Sequence, residues 1–182
     1  QYFQQRRIAY CGLEGPAFGS YFTFTQVLHI DGEKTLIPER NRRNYSIMLQ
    51  ICRSKKVNQM LNGCSLTQAK LYHGTLESAL QSTDQKFDFF FLDWLGHLCP
   101  MYARELTLAQ EHLNPEGMIV ATLNKTRLSE ERFQRQMQTT STQETFMSDW
   151  ASRHSLILND LRYEGGDRIK TPMGIYVLYG RR

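Results

Sequence analysis

The sequence predicts a doubly wound α/β protein with a mainly parallel sheet and an antiparallel strand pair at its C-terminal end. Two observations lead to this prediction: short apolar segments alternate with amphipathic segments, and the last two apolar segments lie close together. Alternating strands and helices form mainly parallel sheets covered on both faces, whereas two strands close in sequence pair in antiparallel fashion. A chain of 182 residues fits one domain, predicted over residues 1–182.

The first half of the chain contains three predicted strands, each followed by a helical segment. An apolar run over Arg7–Leu13 passes into the loop Cys11–Pro16, as a strand entering a turn does. Ser20 is suited to cap a helix over Tyr21–Ile30, and Asp31-Gly32 would stop it. The other predicted elements are a strand over Thr35–Ile37 closed by Pro38, a helix over Arg43–Leu61 stopped by Asn62-Gly63, a strand over Ala69–Tyr72 and a helical turn over Leu76–Leu80.

The clearest strand pattern opens the second half. Phe87–Leu92 is a bulky apolar run that ends at Asp93, and its length is typical of a strand buried on both faces. The later predicted elements are a helix over Met101–Leu113 after Pro100, a turn at Asn114–Gly117, a strand over Met118–Leu123, two helical pieces within Glu130–His154, and two terminal strands, Leu156–Leu161 and Gly174–Tyr179, joined through Glu164–Asp167 and Pro172.

Composition narrows the class of protein. With 41% hydrophobic and 22% charged residues, the chain is typical of a globular protein rather than a disordered one. Its longest apolar stretch, Phe87–Leu95, is too short to cross a bilayer, so we expect a soluble, cytoplasmic protein. Of the four cysteines, only Cys99 has a close potential co-ligand, His97, and we expect no metal site.

The net charge of +4 is modest, but basic residues occur in short clusters. Such clusters fit a nucleic acid partner, and they also occur on solvated helix faces. The clusters are Arg40, Arg42 and Arg43, then Arg53, Lys55 and Lys56, and the terminal Arg181 and Arg182.

Ligands of doubly wound sheets bind beyond the carboxyl ends of the strands. Here a glycine loop follows strand one, Glu39 ends strand two, Asp93 ends strand four, and a strand pair closes the chain. This order resembles the class I S-adenosylmethionine-dependent methyltransferases over nearly the whole chain, although the glycine motif is degenerate. The resemblance implies a Rossmann-like fold, S-adenosylmethionine as cofactor and methyl transfer as the activity.

The resemblance also implies a cofactor site. Glu39 lies about two dozen residues beyond the glycine loop, where a carboxylate accepts hydrogen bonds from both ribose hydroxyls. A solvated carboxylate paired with Arg40 or Arg42 is the alternative. The loop after strand one would wrap the methionine part through Gly12, Glu14 and Gly15, and the loop after strand three would contact adenine through Gly74, Thr75 and Leu76. Plain turns are the alternative for both loops.

Asp93 and Trp94 are the predicted catalytic residues. A carboxylate at the end of strand four can orient an acceptor amine or take its proton, and an aromatic neighbour can stack on a base. A structural aspartate that caps the next turn is the alternative. His73 and His97 lie near these loops, but neither is assigned a role.

Three functions follow in order of preference. The first is methyl transfer from S-adenosylmethionine, with nucleic acid as the preferred acceptor. The second is a catalytically inactive methyltransferase-like domain used for binding or assembly, which the degenerate glycine loop would explain. The third is a nicotinamide-dependent oxidoreductase, which ranks last because the spaced-glycine fingerprint for a pyrophosphate is missing.

Overall fold

The structure, a computed structural model, describes residues 7–54, 66–94, 96–163 and 173–180. The chain divides into two compact units, Gln1–Phe90 and Phe91–Arg182. The described residues form seven strands: β1 Ile8–Gly12, β2 Ile30–Glu39, β3 Lys70–His73, β4 Phe87–Asp93, β5 Leu113–Asn124, β6 Leu156–Tyr163 and β7 Met173–Gly180. They also form six α-helices: α1 Gly19–Thr25, α2 Arg42–Cys52, α3 Leu76–Gln81, α4 Pro100–Glu111, α5 Arg127–Met137 and α6 Gln143–Arg153.

The strands form one sheet in the order β3-β2-β1-β4-β5-β7-β6. Most strands are parallel and helices flank the sheet, so the predicted α/β fold, a doubly wound and mainly parallel Rossmann-like sheet, is confirmed. The strand order turns from descending to ascending next to β1, and ligands of such sheets bind at a switch of this kind. Of the helices in the described part of the chain, none is both long and apolar enough to cross a membrane.

In the first unit, β2 pairs in parallel with both β1 and β3. Cys11 lies opposite Leu36, and Glu39 lies opposite His73, so the carboxyl ends of these strands lie at the same edge of the sheet. Every residue of β1 is buried, because neighbours cover both of its faces. Buried Asp88 accepts a 2.9 Å hydrogen bond from the backbone N–H of Ala9.

In the second unit, β7 pairs in antiparallel fashion with both β5 and β6. Met118 lies opposite Tyr179, and Leu156 lies opposite Gly180. The predicted terminal strand pair is therefore confirmed. The two helical pieces predicted within Glu130–His154 are also present as α5 and α6.

Two predictions about the region around α1 are wrong. The helix ends at Thr25 rather than Ile30, and Ser20 lies inside it; Phe18 stands at the N-cap with φ 53° and no capping side chain. Asp31-Gly32 does not stop a helix but lies within β2. The physical reason is long-range pairing, because Ile30 is buried opposite Ile8 of β1.

Strands β2 and β5 are both longer than predicted. Strand β2 runs through Pro38, which lies opposite Tyr72, so the proline does not end the strand before Glu39. Strand β5 contains the predicted turn Asn114–Gly117, and α4 ends at Glu111 rather than Leu113. A Cβ on Gly180 would lie 2.4 Å from the carbonyl oxygen of Pro115, so β7 approaches this segment too closely for any side chain at that position.

Helix α2 ends at Cys52, with Arg53 as its C-cap, and is shorter than the predicted helix to Leu61. Several sequence features lie outside the described residues: the rest of that predicted helix, Asn62-Gly63, Lys55 and Lys56, Glu164–Asp167 with Pro172, and Arg181 and Arg182. A single methyltransferase-like domain over residues 1–182 stays a prediction.

Candidate functional site

In the first unit, Glu39 lies at the carboxyl end of β2 with its side chain held in one orientation. Its Oε1 accepts a 2.6 Å hydrogen bond from the backbone N–H of Asn41, and its Oε2 accepts a 3.3 Å hydrogen bond from Asn44 Nδ2. Asn41 also caps α2, because its Oδ1 accepts from the N–H groups of Arg43 and Asn44. The described contacts of Glu39 are therefore with amide donors and not with a guanidinium group.

The segment after β3 lies beside Glu39. The backbone N–H of Gly74 donates a 3.1 Å hydrogen bond to the carbonyl oxygen of Glu39, which joins the two strand ends. Thr75 caps α3 by accepting a 3.1 Å hydrogen bond from the N–H of Ser78. Leu76 is 1% exposed, so its side chain is part of the core of this unit.

An aromatic pair accompanies these loops. The rings of Tyr45 on α2 and His73 at the end of β3 lie with centroids 4.9 Å apart and an angle of 31° between their planes. His73 is exposed and Tyr45 is half-buried. The sequence pattern indicated His73 without a role and gave no indication of Tyr45. Its half-buried position on α2 gave no local signal that set it apart from a core residue.

The loop after β1 is built around a buried carboxylate. Glu14 is 5% exposed, and it accepts hydrogen bonds from the phenol of Tyr10 and from the backbone N–H of Tyr21, the latter at 3.1 Å. Burial and the neighbouring Glu14 raise the pKa of the Tyr10 phenol well above its ordinary value. The Glu14 carboxylate therefore ties the loop to its own strand and to α1.

The two glycines of this loop differ in their surroundings. A Cβ on Gly12 would lie 2.0 Å from the hydroxyl oxygen of Tyr10, so the absence of a side chain there makes room for the Tyr10 ring. Gly15 is exposed, and nothing lies within 4 Å of the position of its Cβ. Its carbonyl oxygen accepts a 2.9 Å hydrogen bond from the N–H of Phe18. The backbone of Gly15 is therefore accessible to a ligand, whereas Gly12 allows the Tyr10 ring to pack against the strand.

In the second unit, Asp93 lies at the end of β4, half-buried, and its Oδ1 accepts a 2.6 Å hydrogen bond from the hydroxyl of Thr122 on β5. Trp94 is 2% exposed; its indole N–H donates a 3.0 Å hydrogen bond to Glu105, and its ring stacks on Tyr102 at 4.8 Å. A role for Trp94 in stacking on a base would require the indole to leave this position.

Gln143, at the start of α6, anchors the segment that follows Trp94. Its Oε1 accepts a 2.6 Å hydrogen bond from the N–H of Leu98, and its Nε2 donates to the carbonyl oxygen of Asn124 at 3.1 Å. Glu130 accepts from both the backbone N–H and the side chain of Gln143. Nothing in the sequence indicated this role for Gln143, because its partners Leu98 and Asn124 lie far from it along the chain.

His97 and Cys99 have separate surroundings. His97 lies 3.2 Å from Gln136 Oε1 through its Nε2, and Cys99 stands at the N-cap of α4. Across residues 7–54, 66–94, 96–163 and 173–180, no group of three or more His, Cys, Asp or Glu side chains lies close enough to hold a metal ion.

Comparisons in sequence find no relative: no protein-family model and no curated protein matches the chain. Comparisons of structure do find similar proteins. A precorrin-6y C5,15-methyltransferase from Geobacter metallireducens is 15% identical with a TM-score of 0.60, and the match covers 96% of this chain and 81% of that one.

Two further structures extend the similarity. An O-methyltransferase from Bacillus cereus in complex with S-adenosylhomocysteine is 15% identical, with a TM-score of 0.62, over 93% of this chain and 73% of that one. An rRNA methylase from Streptococcus thermophilus is 8% identical, with a TM-score of 0.60, over 100% of this chain and 91% of that one. At these identities the likeness is one of fold. The chain therefore has the fold of the class I S-adenosylmethionine-dependent methyltransferases.

Proposed function

We propose that this chain binds S-adenosylmethionine and transfers its methyl group to a nucleic acid acceptor. The observation that carries the proposal is the placement of Glu39 at the carboxyl end of β2, held by Asn41 and Asn44 and joined to Gly74. In sheets of this type a carboxylate at that position binds the ribose of a nucleoside. This placement of Glu39 supports a ligand site at that edge of the sheet.

The chemistry of Glu39 fits the ribose of the cofactor. An ionised carboxylate has about four lone-pair sites, and the described hydrogen bonds from Asn41 and Asn44 occupy one on each oxygen. Sites therefore remain for two hydroxyl donors. Because the two asparagine contacts already fix the carboxylate, binding would cost little side-chain entropy.

Other residues of the first unit complete the proposed cofactor site. The loop with Gly12, Glu14 and Gly15 would lie along the methionine part; here open Gly15 would meet the ligand, while Glu14 holds the loop in place through Tyr10 and Tyr21. Gly74, Thr75 and Leu76 would lie along the adenine. Because the Leu76 side chain is buried, only its backbone would contribute.

The bound cofactor would supply a methyl group activated by a positive sulfonium, and the protein would supply proximity and alignment. In the proposal, the Asp93 carboxylate orients the acceptor or takes its proton. Thr122 would hold that carboxylate in position through its 2.6 Å hydrogen bond. Trp94 is the second proposed residue, and its contacts with Glu105 and Tyr102 fix the backbone next to Asp93.

The acceptor is proposed from charge. Arg40, Arg42 and Arg43 are exposed, and a nucleic acid partner would match such a cluster. An rRNA methylase is among the proteins with a similar fold, which agrees with a nucleic acid acceptor without assigning one.

The proposal is tested by calorimetric titration with S-adenosylmethionine and S-adenosylhomocysteine. We expect binding by the wild-type protein and an affinity at least tenfold lower for Glu39→Ala, since hydrogen bonds to a charged group contribute roughly 1.5–3 kcal/mol. Glu33→Ala is the matched control, because Glu33 is exposed on the same strand. No heat and no thermal shift from a folded wild-type protein would refute the cofactor site.

A second function, an inactive domain used for binding or assembly, is favoured by one observation. The Glu14 carboxylate is engaged by Tyr10 and Tyr21, so it contributes to the fold whether or not a cofactor binds. The titration together with a methyl-transfer assay separates the two functions. Binding followed by methyl transfer supports the enzyme, whereas binding without transfer to any acceptor, or no binding at all, supports the inactive domain.

A further inference from the structure

The exposed face of α2 carries arginines at both of its ends. Arg42 and Arg43 are exposed in its first turn, and Arg53 is exposed at its C-cap. Between them the solvent face carries the uncharged Ser46 and Gln50, and the helix contains no Asp or Glu. Within the described residues, no carboxylate lies within ion-pair distance of these three arginines. We call Arg42, Arg43 and Arg53 the arginine face.

None of the other described α-helices combines basic residues with an absence of acidic ones. Helix α5 mixes three arginines with Glu130 and Glu131, and the Arg127 guanidinium lies 3.0 Å from Glu131. Helix α6 likewise carries both signs of charge. Among the described helices, α2 is thus the one with basic and no acidic residues. The Glu39 carboxylate lies beside its N-terminus through Asn41 and Asn44, but none of the three arginines forms an ion pair within the described part of the chain.

The position of these arginines opposes local helix electrostatics. The N-terminal end of a helix carries a partial positive charge and favours acidic side chains, yet Arg42 and Arg43 occupy the first turn of α2. Asn41 supplies the cap that satisfies the first backbone donors. An anion bound to the arginines would offset the repulsion between their charges. It would also offset their repulsion from the partial positive charge at the N-terminal end of the helix.

A stacking surface lies at the same end of the helix. Tyr45, one turn into α2, packs on the ring of His73, and His73 is exposed. Aromatic rings beside a basic groove are the combination that holds single-stranded nucleic acid, because the bases stack on the rings while the cations contact the phosphates. A membrane surface or an acidic protein would match the arginines by charge, but neither supplies bases that stack on the exposed ring.

We infer that the arginine face of α2, with His73, is a docking surface for single-stranded nucleic acid. The inference deepens the proposed function, on which it rests for the choice of nucleic acid as acceptor, and it names the surface that would hold the strand. The phosphodiester backbone is common to RNA and DNA, so the affinities for matched RNA and DNA strands identify which of the two is bound.

The test is fluorescence anisotropy with labelled single-stranded RNA and DNA of the same sequence, without cofactor. We expect R42Q/R43Q/R53Q to lose at least tenfold in affinity, and the slope of log affinity against log salt to shrink by about two, since each phosphate contact on a single strand contributes roughly 0.7. The matched control, R127Q/R132Q/R135Q on α5, removes the same charge and is expected to stay within about twofold of wild type.

A second variant tests the ring. His73→Ala is expected to weaken binding about fivefold or more, as loss of one stacked base does, with little change in the salt slope. Each protein is checked for folding by circular dichroism and for cofactor binding by calorimetry. If the variants lose nucleic acid binding but keep cofactor binding, the result supports both the docking surface and the proposed function. If the variants lose nucleic acid binding and the wild-type protein never binds cofactor, the result supports the docking surface and refutes the proposed function.

Three results would overturn the docking surface. Wild-type protein that binds neither strand at low salt has no such surface. Equal losses in the α2 and α5 variants would mean that net charge alone governs binding. Unchanged binding by His73→Ala, together with equally tight binding to anionic vesicles, would assign the arginine face to a membrane.

Discussion

The hydroxyl of Thr122 on β5 donates a 2.6 Å hydrogen bond to Asp93 at the end of β4. Asp93 is half-buried, so the hydroxyl fixes a carboxylate that still reaches solvent. Without the hydrogen bond from Thr122, the Asp93 side chain would sample several rotamers. The contact therefore holds the carboxylate in one orientation, as the proposed role toward an acceptor requires.

The Asp93 contact leads to the first prediction. If Asp93 acts on the acceptor, Asp93→Asn lowers methyl transfer by roughly 10²- to 10⁴-fold, the range for loss of a general base, without changing S-adenosylmethionine affinity. Thr122→Val lowers it by about tenfold, since one hydrogen bond to a charged group is lost. Transfer of a labelled methyl group to an RNA mixture measures both. Asp149→Asn, an exposed aspartate on α6, is the control. Full activity in Asp93→Asn would remove Asp93 from the mechanism.

The two glycines after β1 lead to a second prediction. Gly12→Ala is expected to cost about 1–3 kcal/mol of unfolding free energy, because its Cβ would overlap the buried ring of Tyr10. Gly15→Ala is expected to change stability by less than about 0.5 kcal/mol, since its Cβ has open space. Urea unfolding measures both variants. Equal stabilities would contradict the packing role of Gly12, and a loss of cofactor affinity in Gly15→Ala would support close approach of the ligand there.

The third prediction concerns Gln143, which is 1% exposed. Gln143→Leu removes the contacts to Leu98 and Asn124 and leaves their backbone groups without that partner. We expect the free energy of unfolding to fall by about 2–4 kcal/mol, the cost of unsatisfied buried polar groups. Chemical denaturation checks the value against Gln136→Ala, an exposed control on α5. A change below about 0.5 kcal/mol would show that water replaces the side chain.

The fourth prediction is a pH dependence. Burial raises the pKa of the Cys52 thiol from 9.0 to about 11. The unfolded thiol ionises first as pH rises, so the unfolded state binds fewer protons above pH 9 and stability is lost between pH 9 and 11. The loss assigned to Cys52 is on the order of 2 kcal/mol. Unfolding of wild type and Cys52→Ala at pH 8 and at pH 11 measures this loss. If the free energy of unfolding falls equally in the two proteins, the Cys52 thiol is not its cause.

Local signals were enough for much of the fold. The apolar run Phe87–Leu92, the Pro100 start of α4 and the closing strand pair follow from residue order. They could be predicted because periodicity and helix starts depend on neighbours in sequence. The place of Glu39 at a strand end was predictable for the same reason.

Tertiary structure decided the extent of the strands and the contacts of the site. Strand β2 takes up Asp31-Gly32 because it pairs with β1, and pairing of this kind outweighs a local turn preference. The site residues meet partners far along the chain: Asp93 and Thr122 are 29 residues apart, and Gln143 and Leu98 are 45 apart. The sequence by itself determined the order of strands and helices and where each polar residue falls along them. Only the folded sheet decided which of those residues touch, because a hydrogen bond depends on distance in space and not on separation along the chain.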